Sequence, residues 1–586
     1  MKLEKKVESW WQFILSFEVF YLYEATPCYH TSMRTFISGL IITALLFFTA
    51  SCTTSKEEIP PKPNILLIVA DDLGFTDLGC YGSEIKTPHL DALAAEGIRN
   101  TAFYTAPTCS LTRSMLLTGI DNHRTGYGTM EGDLAPNQVG LAGYETHLNF
   151  DVVPFPELLQ ANGYHTGIAG KWHQAFPPSE SLLWPDKRGF DRSFCLLQGG
   201  AGHFSDQQPL FAFTKKTLYV ENGSIVDSLP SDFYSSDFYT QKAIGYINES
   251  KQQNKPFFTY LAFTAPHWPL QVPDEYLDLY EGKYDEGYEV LARKRLQRGK
   301  ELDIITATAT VPPLSPNVVP WNELSVAEQH KSARTMEIYA AMIERLDANV
   351  GKLIAHLKAT GEYENTLILF MADNGAEGNE IGNIKDSKKW IREIFDNSLN
   401  NMGRRNFYVY TGPSWAQVGT LPFKWYKGFS TEGGVRCPSI IRLPGGANQG
   451  SINPDYISVK DFAPTILEVA GVQHPGSTYK NRKVFPMDGT SLVNWLNGEE
   501  ESAHKPDEVH CWELYGRRGV RQGNWKAEWQ DGPYGNNTWE LYNLQQDPGE
   551  LRNLSTKNPE KLNKLITEWD KYARKYKVTL PSQHVG

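Results

Sequence analysis

Several things are scarce in this 586-residue chain, and each scarcity excludes something. Cysteine occurs seven times, at 28, 52, 80, 109, 195, 437 and 511, too widely scattered for a disulfide scaffold. There is no Cys-x-x-Cys pair and no His-Glu-x-x-His, so neither dithiol redox chemistry nor a zincin site has support. Basic residues are outnumbered, 57 Lys and Arg against 68 Asp and Glu, a net charge of −11 that argues against a nucleic-acid partner. An acidic chain can still take an anion where a cleft gathers cations. No internal repeat is visible. The N-terminal apolar run, Phe36 to Ala50, is short for a bilayer span.

That run instead has the form of an export signal. Met33-Arg34 gives it a basic start, Met33 is a candidate initiator, and Thr49-Ala50-Ser51-Cys52 resembles a bacterial lipoprotein signal lipidated at Cys52. Residues 53–63 follow as a polar, proline-ended tether, within which Lys56-Glu57-Glu58 resembles an outer-face export tag. The expectation is an exported lipoprotein, periplasmic or at the cell surface, that meets membrane through its lipid anchor only.

The length calls for two domains, one large. Asn64 to Ala70, Phe257 to Phe263 and Thr366 to Ala372 are continuous apolar runs, which predict strands buried on both faces of a parallel sheet. Ser332 to Lys358 has helical periodicity, Ser458 to Ala470 is an amphipathic helix, and Tyr164 to Ala169 a short strand. From about residue 501 the pattern changes to short strands and a final helix over 559–576. The fold class expected is α/β, a large mostly parallel sheet flanked by helices at 64–500, with a smaller C-terminal α+β domain and antiparallel sheet at 501–586.

Chemistry gathers at the ends of those strands. Asp71 and Asp72 close the first, and adjacent carboxylates repel unless a cation lies between them. Asp373 and Asn374 close the last. A set of carboxylates and an amide suits a hard cation, Ca²⁺ or Mg²⁺, rather than zinc. Between them lies Pro107 to Gly119, a loop, then Cys109 at a helix N-terminus where anions are favoured, with Arg113 four residues on along the same face. Gly170-Lys171-Trp172-His173 ends a strand, and on an extended backbone Lys171 and His173 point the same way. Prolines on both sides stiffen the turn holding His267, and the long polar stretch 375–421 is of functional length.

Cys109 to Gly119 resembles the signature of type I sulfatases, Cys-x-Pro-x-Arg with a Leu-Thr-Gly ending, with Leu111 standing where the family has proline. Asp71-Asp72, Gly170 to His173, Pro266 to Trp268, Asp373 to Gly375, and Lys427 with Glu432-Gly433-Gly434 occur in the same order as in that family, nearest to bacterial arylsulfatases. The resemblance covers about residues 63–555 and implies a fold of the alkaline-phosphatase superfamily. It implies that Cys109 becomes formylglycine, whose aldehyde hydrate attacks sulfur, through a converting enzyme. It implies that Asp71, Asp72, Asp373 and Asn374 hold the cation, that Arg113 stabilises the hydrate, and that Lys171 and Lys427 contact sulfate oxygens. His267, with Lys427, would protonate the leaving group, and His173 would serve the second step. The substrate implied is an aryl sulfate or sulfated glycan. Two alternatives stay open: a phosphodiesterase or phosphonate monoester hydrolase of the same superfamily, and a catalytically silent sulfoglycan-binding lipoprotein.

Overall fold

The computed structural model describes residues 62–214, 216–316, 318–380, 387–446 and 449–583; the export signal, Cys52 and almost all of the tether lie outside them. Among the described residues, eleven strands form the main sheet: β1 (Asn64–Ala70), β2 (Ile98–Tyr104), β3 (His165–Lys171), β4 (Arg192–Leu196), β5 (Tyr219–Glu221), β6 (Ser224–Val226), β7 (Phe257–Ala262), β8 (Thr366–Ala372), β9 (Arg436–Arg442), β10 (Ser451–Asn453) and β11 (Ile457–Ser458). Their order is β10-β2-β9-β8-β1-β7-β3-β4-β5-β6, with β11 beside β2. The central five, β8, β1, β7, β3 and β4, are parallel. β1 and β8 are buried along their whole length, as continuous apolar strands in the middle of a parallel sheet must be.

The position of the site follows from strand direction. β9 runs antiparallel to both β8 and β2, so β2 points the same way as β1. The carboxyl ends of β1, β2, β3, β7 and β8, and the amino end of β9, therefore share one edge. This is the edge where open α/β sheets place their ligands.

Seven helices matter here: α1 (Pro88–Ala95), α2 (Cys109–Thr118), α3 (Ser235–Gln252), α4 (Tyr288–Glu301), α5 (Val326–Thr360), α6 (Phe462–Val469) and α7 (Pro559–Tyr576). α5 buries the periodic stripe Met336, Tyr339, Ala340, Ile343, Leu346, Val350 and Leu353, and ends at Gly361 in the left-handed region. It begins six residues before the expected start because Ser325 and Glu328 form a reciprocal capping box. α3, which is not among the helices expected from the sequence, packs on β3 and β7. β2 is likewise not expected from the sequence, since Arg99-Asn100-Thr101 interrupts any apolar run.

The C-terminal region has its own antiparallel sheet. After a two-stranded ribbon of β12 (Thr478–Tyr479) and β13 (Arg482–Lys483), strands β14 (Val509–Leu514), β15 (Arg517–Gln522), β16 (Trp525–Trp529) and β17 (Trp539–Asn543) pair in sequence order. α7 lays Leu565 and Trp569 on Val520, Ala527 and Leu541. The architecture is thus α/β, a large mostly parallel sheet with helices, plus a smaller α+β part.

Candidate active site

Cys109 is the first residue of α2, after Thr108 in an extended conformation, and Gly119 at φ 67° ends the helix. Every residue of α2 is buried, so Arg113 is no surface residue. Its Nε and one terminal nitrogen reach Asp373 Oδ2 at 2.9 and 2.7 Å, and the other donates to the Lys171 carbonyl at 3.2 Å and the Tyr260 hydroxyl at 3.3 Å. Arg113 thus ties α2 to the ends of β8 and β3.

Asp71 and Asp72 diverge. Asp71 takes the Lys171 ammonium on both oxygens, at 2.9 and 2.8 Å. Asp72 has φ 64°, a conformation uncommon outside glycine, and its N–H donates to Asp373 Oδ1 at 3.1 Å. Its carboxylate accepts from Lys427 Nζ at 2.9 Å and Asn374 Nδ2 at 2.7 Å, with His267 Nε2 at 3.5 Å. His267 is anchored from behind, Nδ1 to the Trp268 carbonyl at 2.6 Å. Lys427 also meets Glu377 at 2.9 Å.

Cys109 Sγ lies 3.4 Å from His173 Nδ1, and His173 Nε2 bonds Glu131. His173 has φ 52°, so the backbone does not continue extended from Lys171. The expectation that the two side chains point the same way is corrected on this ground: Lys171 turns to Asp71 and His173 to Cys109.

All ten residues expected from the sequence converge on this edge: Cys109, Arg113, Lys171, His173, His267 and Lys427 with Asp71, Asp72, Asp373 and Asn374. Glu131, Glu377, Tyr127 and Tyr260 were not anticipated. Glu377 follows Asn374 by three residues and could have been suspected; Glu131, in a glycine-rich loop, carries no periodic signal. Glu432, part of a family-like motif, faces away, toward Lys526 at 2.9 Å.

The electrostatics show what this cluster lacks. Burial, with Asp373 and Asp72 nearby, pushes the Asp71 carboxyl well above its usual range despite Lys171 and Arg113. Burial also opposes ionisation of Asp72, but Lys427, His267 and Lys171 outweigh it and hold that carboxyl well below its usual range. At Asp71 the cations present do not offset burial and the neighbouring carboxylates. The ligand atoms of Asp71, Asp72 and His267 lie within 4.8 Å of one another, and Asn374 Oδ1 is buried without a partner. Converging carboxylates and a free amide oxygen fit a hard divalent ion. Burial raises the Cys109 thiol, yet Lys171, His173 and Lys427 bring it down to about 6, the mark of a locally positive site inside an acidic protein.

Beside His267 stands an aromatic wall. Trp268 lies 5.7 Å from both Phe211 and Tyr408, and Phe211 stacks on the exposed Phe213 at 5.1 Å. A cleft of about 840 Å³, lined by Tyr288, Lys331, Lys388, Arg392 and Trp415, shares Tyr408 with that wall and contains none of the ten residues. Another group of metal-ligand type, His504, Glu508 and His510, lies elsewhere. Both His504 ring nitrogens are already taken, by Asp461 at 2.7 Å and Glu508 at 3.0 Å.

Comparison with known proteins agrees with this geometry. A family model described as Sulfatase matches residues 63–472, and one described as N-sulphoglucosamine sulphohydrolase, C-terminal, matches 422–575. An uncharacterized sulfatase of Schizosaccharomyces pombe is 44% identical over 91% of this chain and 97% of its own. The arylsulfatase of Klebsiella aerogenes is 39% identical over 74% of this chain and 91% of its own. The crystal structure of Ps i-CgsB in complex with k-i-k-neocarrahexaose superposes with a TM-score of 0.62 at 26% identity, covering 90% of this chain and 95% of that one.

Proposed function

This chain belongs to the sulfatase family and hydrolyses sulfate esters, and from that premise we propose how its own residues carry the reaction. Formylglycine made from Cys109 would supply the nucleophile, and a divalent cation, Ca²⁺ or Mg²⁺, would withdraw charge from the sulfuryl oxygens as a Lewis acid. Asp71, Asp72, Asp373 and Asn374 would hold that ion. The observation that carries the reading is the partnerless, buried Asn374 Oδ1 beside three buried carboxylates, two of which, Asp71 and Asp373, have oxygens within 4.8 Å of Cys109 Sγ.

The other residues divide the work. Lys171 and Lys427 bind the sulfate oxygens, turning from carboxylates whose charge the ion would then neutralise. Arg113 fixes the hydroxyls at position 109. His267 gives a proton from Nε2 to the departing oxygen, its ring held by the Trp268 carbonyl. His173 Nδ1 takes a proton from position 109 in the second step. The leaving group is a ring, a phenol or a sugar, lying against Trp268, Phe211 and Phe213. The physiological ester is a sulfated small molecule or glycan, and a converting enzyme acts on the unfolded segment before α2 buries it.

A desulfation screen of defined sulfated sugars beside an aryl sulfate, and the phosphate ester of the same phenol, tests the assignment. Faster turnover of the phosphate ester would move the protein to phosphoester chemistry. Binding of sulfated sugars without turnover would leave a silent lectin-like lipoprotein. We place the protein outside the cytoplasm on a Cys52 lipid anchor, on the strength of Thr49-Ala50-Ser51-Cys52. Cys52→Ser should then release it from the membrane fraction, and an unchanged distribution would end that reading.

A further inference from the structure

Among the described residues, His123, His504 and His173 each have a partner at both ring nitrogens, with a carboxylate at one or both. His123 lies between Asp121 at 3.2 Å and Glu513 at 3.3 Å. His504 lies between Asp461 and Glu508. His173 has a carboxylate on one side only: Glu131 meets Nε2, while the second carboxylate's place, at Nδ1, is taken by Cys109 Sγ. The first two rings are locked as ion pairs. The third is held from behind and open in front, toward the nucleophile's position.

Everything around His173 serves the same restraint. The Tyr127 hydroxyl and the Gln174 amide donate to its carbonyl at 3.0 and 2.7 Å, fixing a left-handed backbone that a histidine seldom adopts. Gly199 lies flat against the ring: a Cβ there would come within 2.8 Å of Cε1 and 2.9 Å of Nε2. Tyr127 and Glu131 belong to one loop, so the segment after α2 grips both the backbone and the ring of His173. The second oxygen of Glu131 is buried and without a partner, so no competing group draws the carboxylate from the imidazole.

We infer that Glu131 is a positioning residue that keeps the proton of neutral His173 on Nε2, leaving the Nδ1 lone pair aimed at position 109. A carboxylate accepts the Nε2–H and cannot donate in return, so in the other tautomer the Nε2 lone pair and the carboxylate would meet as two acceptors. The ring is then preset to take a proton from a hydroxyl at position 109, and Nε2 keeps its own. No bond to the ring beyond that N–H forms or breaks. The same logic orients histidines that serve metals through a carboxylate behind the ring. The catalytic part of the inference rests on the formylglycine reading; the tautomer does not.

The experiment has two arms. In the first, ring-nitrogen shifts of His173 are read by NMR in the full chain with Cys109 unconverted and above pH 9, because burial lowers the ring's pKa but Glu131 and Cys109 outweigh it and raise it to about 9; the signal is assigned by its loss in His173→Asn. The Nε2–H form is expected in the wild type and a mixture in Glu131→Ala. In the second, converted enzyme is assayed on an aryl sulfate. Glu131→Ala should lower kcat by roughly 10–100-fold with KM nearly unchanged. Glu131→Asp should recover part of the loss, and Gly199→Ala, which displaces the ring without touching the carboxylate, should lower kcat similarly. Wild-type shifts and wild-type kcat in Glu131→Ala would overturn the inference. A changed tautomer in a protein that proves to lack formylglycine would sink the proposed mechanism and leave the role of Glu131 standing.

Discussion

Two buried charge networks in this protein are built from the same kinds of residue. One is the catalytic cluster. In the other, Lys526 bonds Glu432 at 2.9 Å and Glu550 at 2.7 Å, and Lys424 bonds Glu528 at 2.9 Å. Lys526 and Glu528 project from the interior of β16, two residues apart and so on one face, and join the C-terminal sheet to the segment before β9. Strand-interior positions are held by pairing on both sides. The catalytic residues come from strand ends, where Asp72 and His173 adopt left-handed backbones and Asn374 Oδ1 waits unpaired. Burying ions is costly in both places. In the C-terminal network the return is a fixed junction; at the strand ends it is a set of oxygens and cations that a cation and a sulfate can rearrange.

The sharpest way to break this contrast is to neutralise one carboxylate in the catalytic cluster. Chelation, or Asp72→Asn or Asp373→Asn, should lower turnover by roughly 10²–10³-fold or more while the circular dichroism spectrum stays native. Full turnover in a metal-free preparation would remove the basis for the cation. The counterpart is Lys526→Met. It leaves two buried glutamates without their cation and should cost about 3–5 kcal/mol in denaturant unfolding, with turnover per folded molecule close to wild type. Lost turnover at unchanged stability would show that the two networks are one.

His267→Ala comes next. It should slow esters of poorly acidic alcohols by roughly 10²–10⁴-fold and nitrophenyl sulfate much less. Equal losses would make His267 a positioning group.

A smaller effect belongs to the two histidines held between carboxylates, His123 and His504. Burial lowers the pKa of His123 and of His504, but their flanking carboxylates outweigh it and raise each to about 9 from an ordinary 6.5. The stability they contribute is therefore complete below pH 6.5 and lost as pH rises through about 9. The expected loss, on the order of 1–3 kcal/mol across that window, should shrink in His123→Gln and His504→Gln. A pH profile of stability identical to wild type in both variants would refute it.

The smallest effect concerns Leu111, third residue of α2. Its N–H is among those a helix start leaves unpaired, so proline there costs no helical hydrogen bond. Leu111→Pro should raise the fraction of Cys109 converted, read by peptide mass spectrometry, with a modest loss of packing at a buried site. An unchanged fraction would show that the converting enzyme does not need the extended conformation that proline at 111 favours at Ser110.

Much of this molecule was legible before it was folded. Continuous apolar runs located β1, β7 and β8 because a strand buried on both faces has no polar side to hide. The acids and the amide at their ends were visible as pairs that only a cation could reconcile. Cys109 and Arg113 were visible as four residues apart on one helix. What the chain could not state locally was direction and partnership. Asp72 and Asp373 are about three hundred residues apart in sequence, and only the parallel pairing of β1 with β8 brings them into hydrogen-bond contact. β2, with its polar opening, was unreadable alone, yet its return to the direction of β1 across β9 is what delivers Cys109 to the site. Glu432 stood in a family-like motif beside Lys427, but the fold turns it toward Lys526. Glu131 looked like loop and is placed behind His173. Composition and periodicity determined which elements form and which residues carry charge. The tertiary structure alone decided which buried charges face one another, because that depends on strand order and on single backbone angles that no periodic signal encodes.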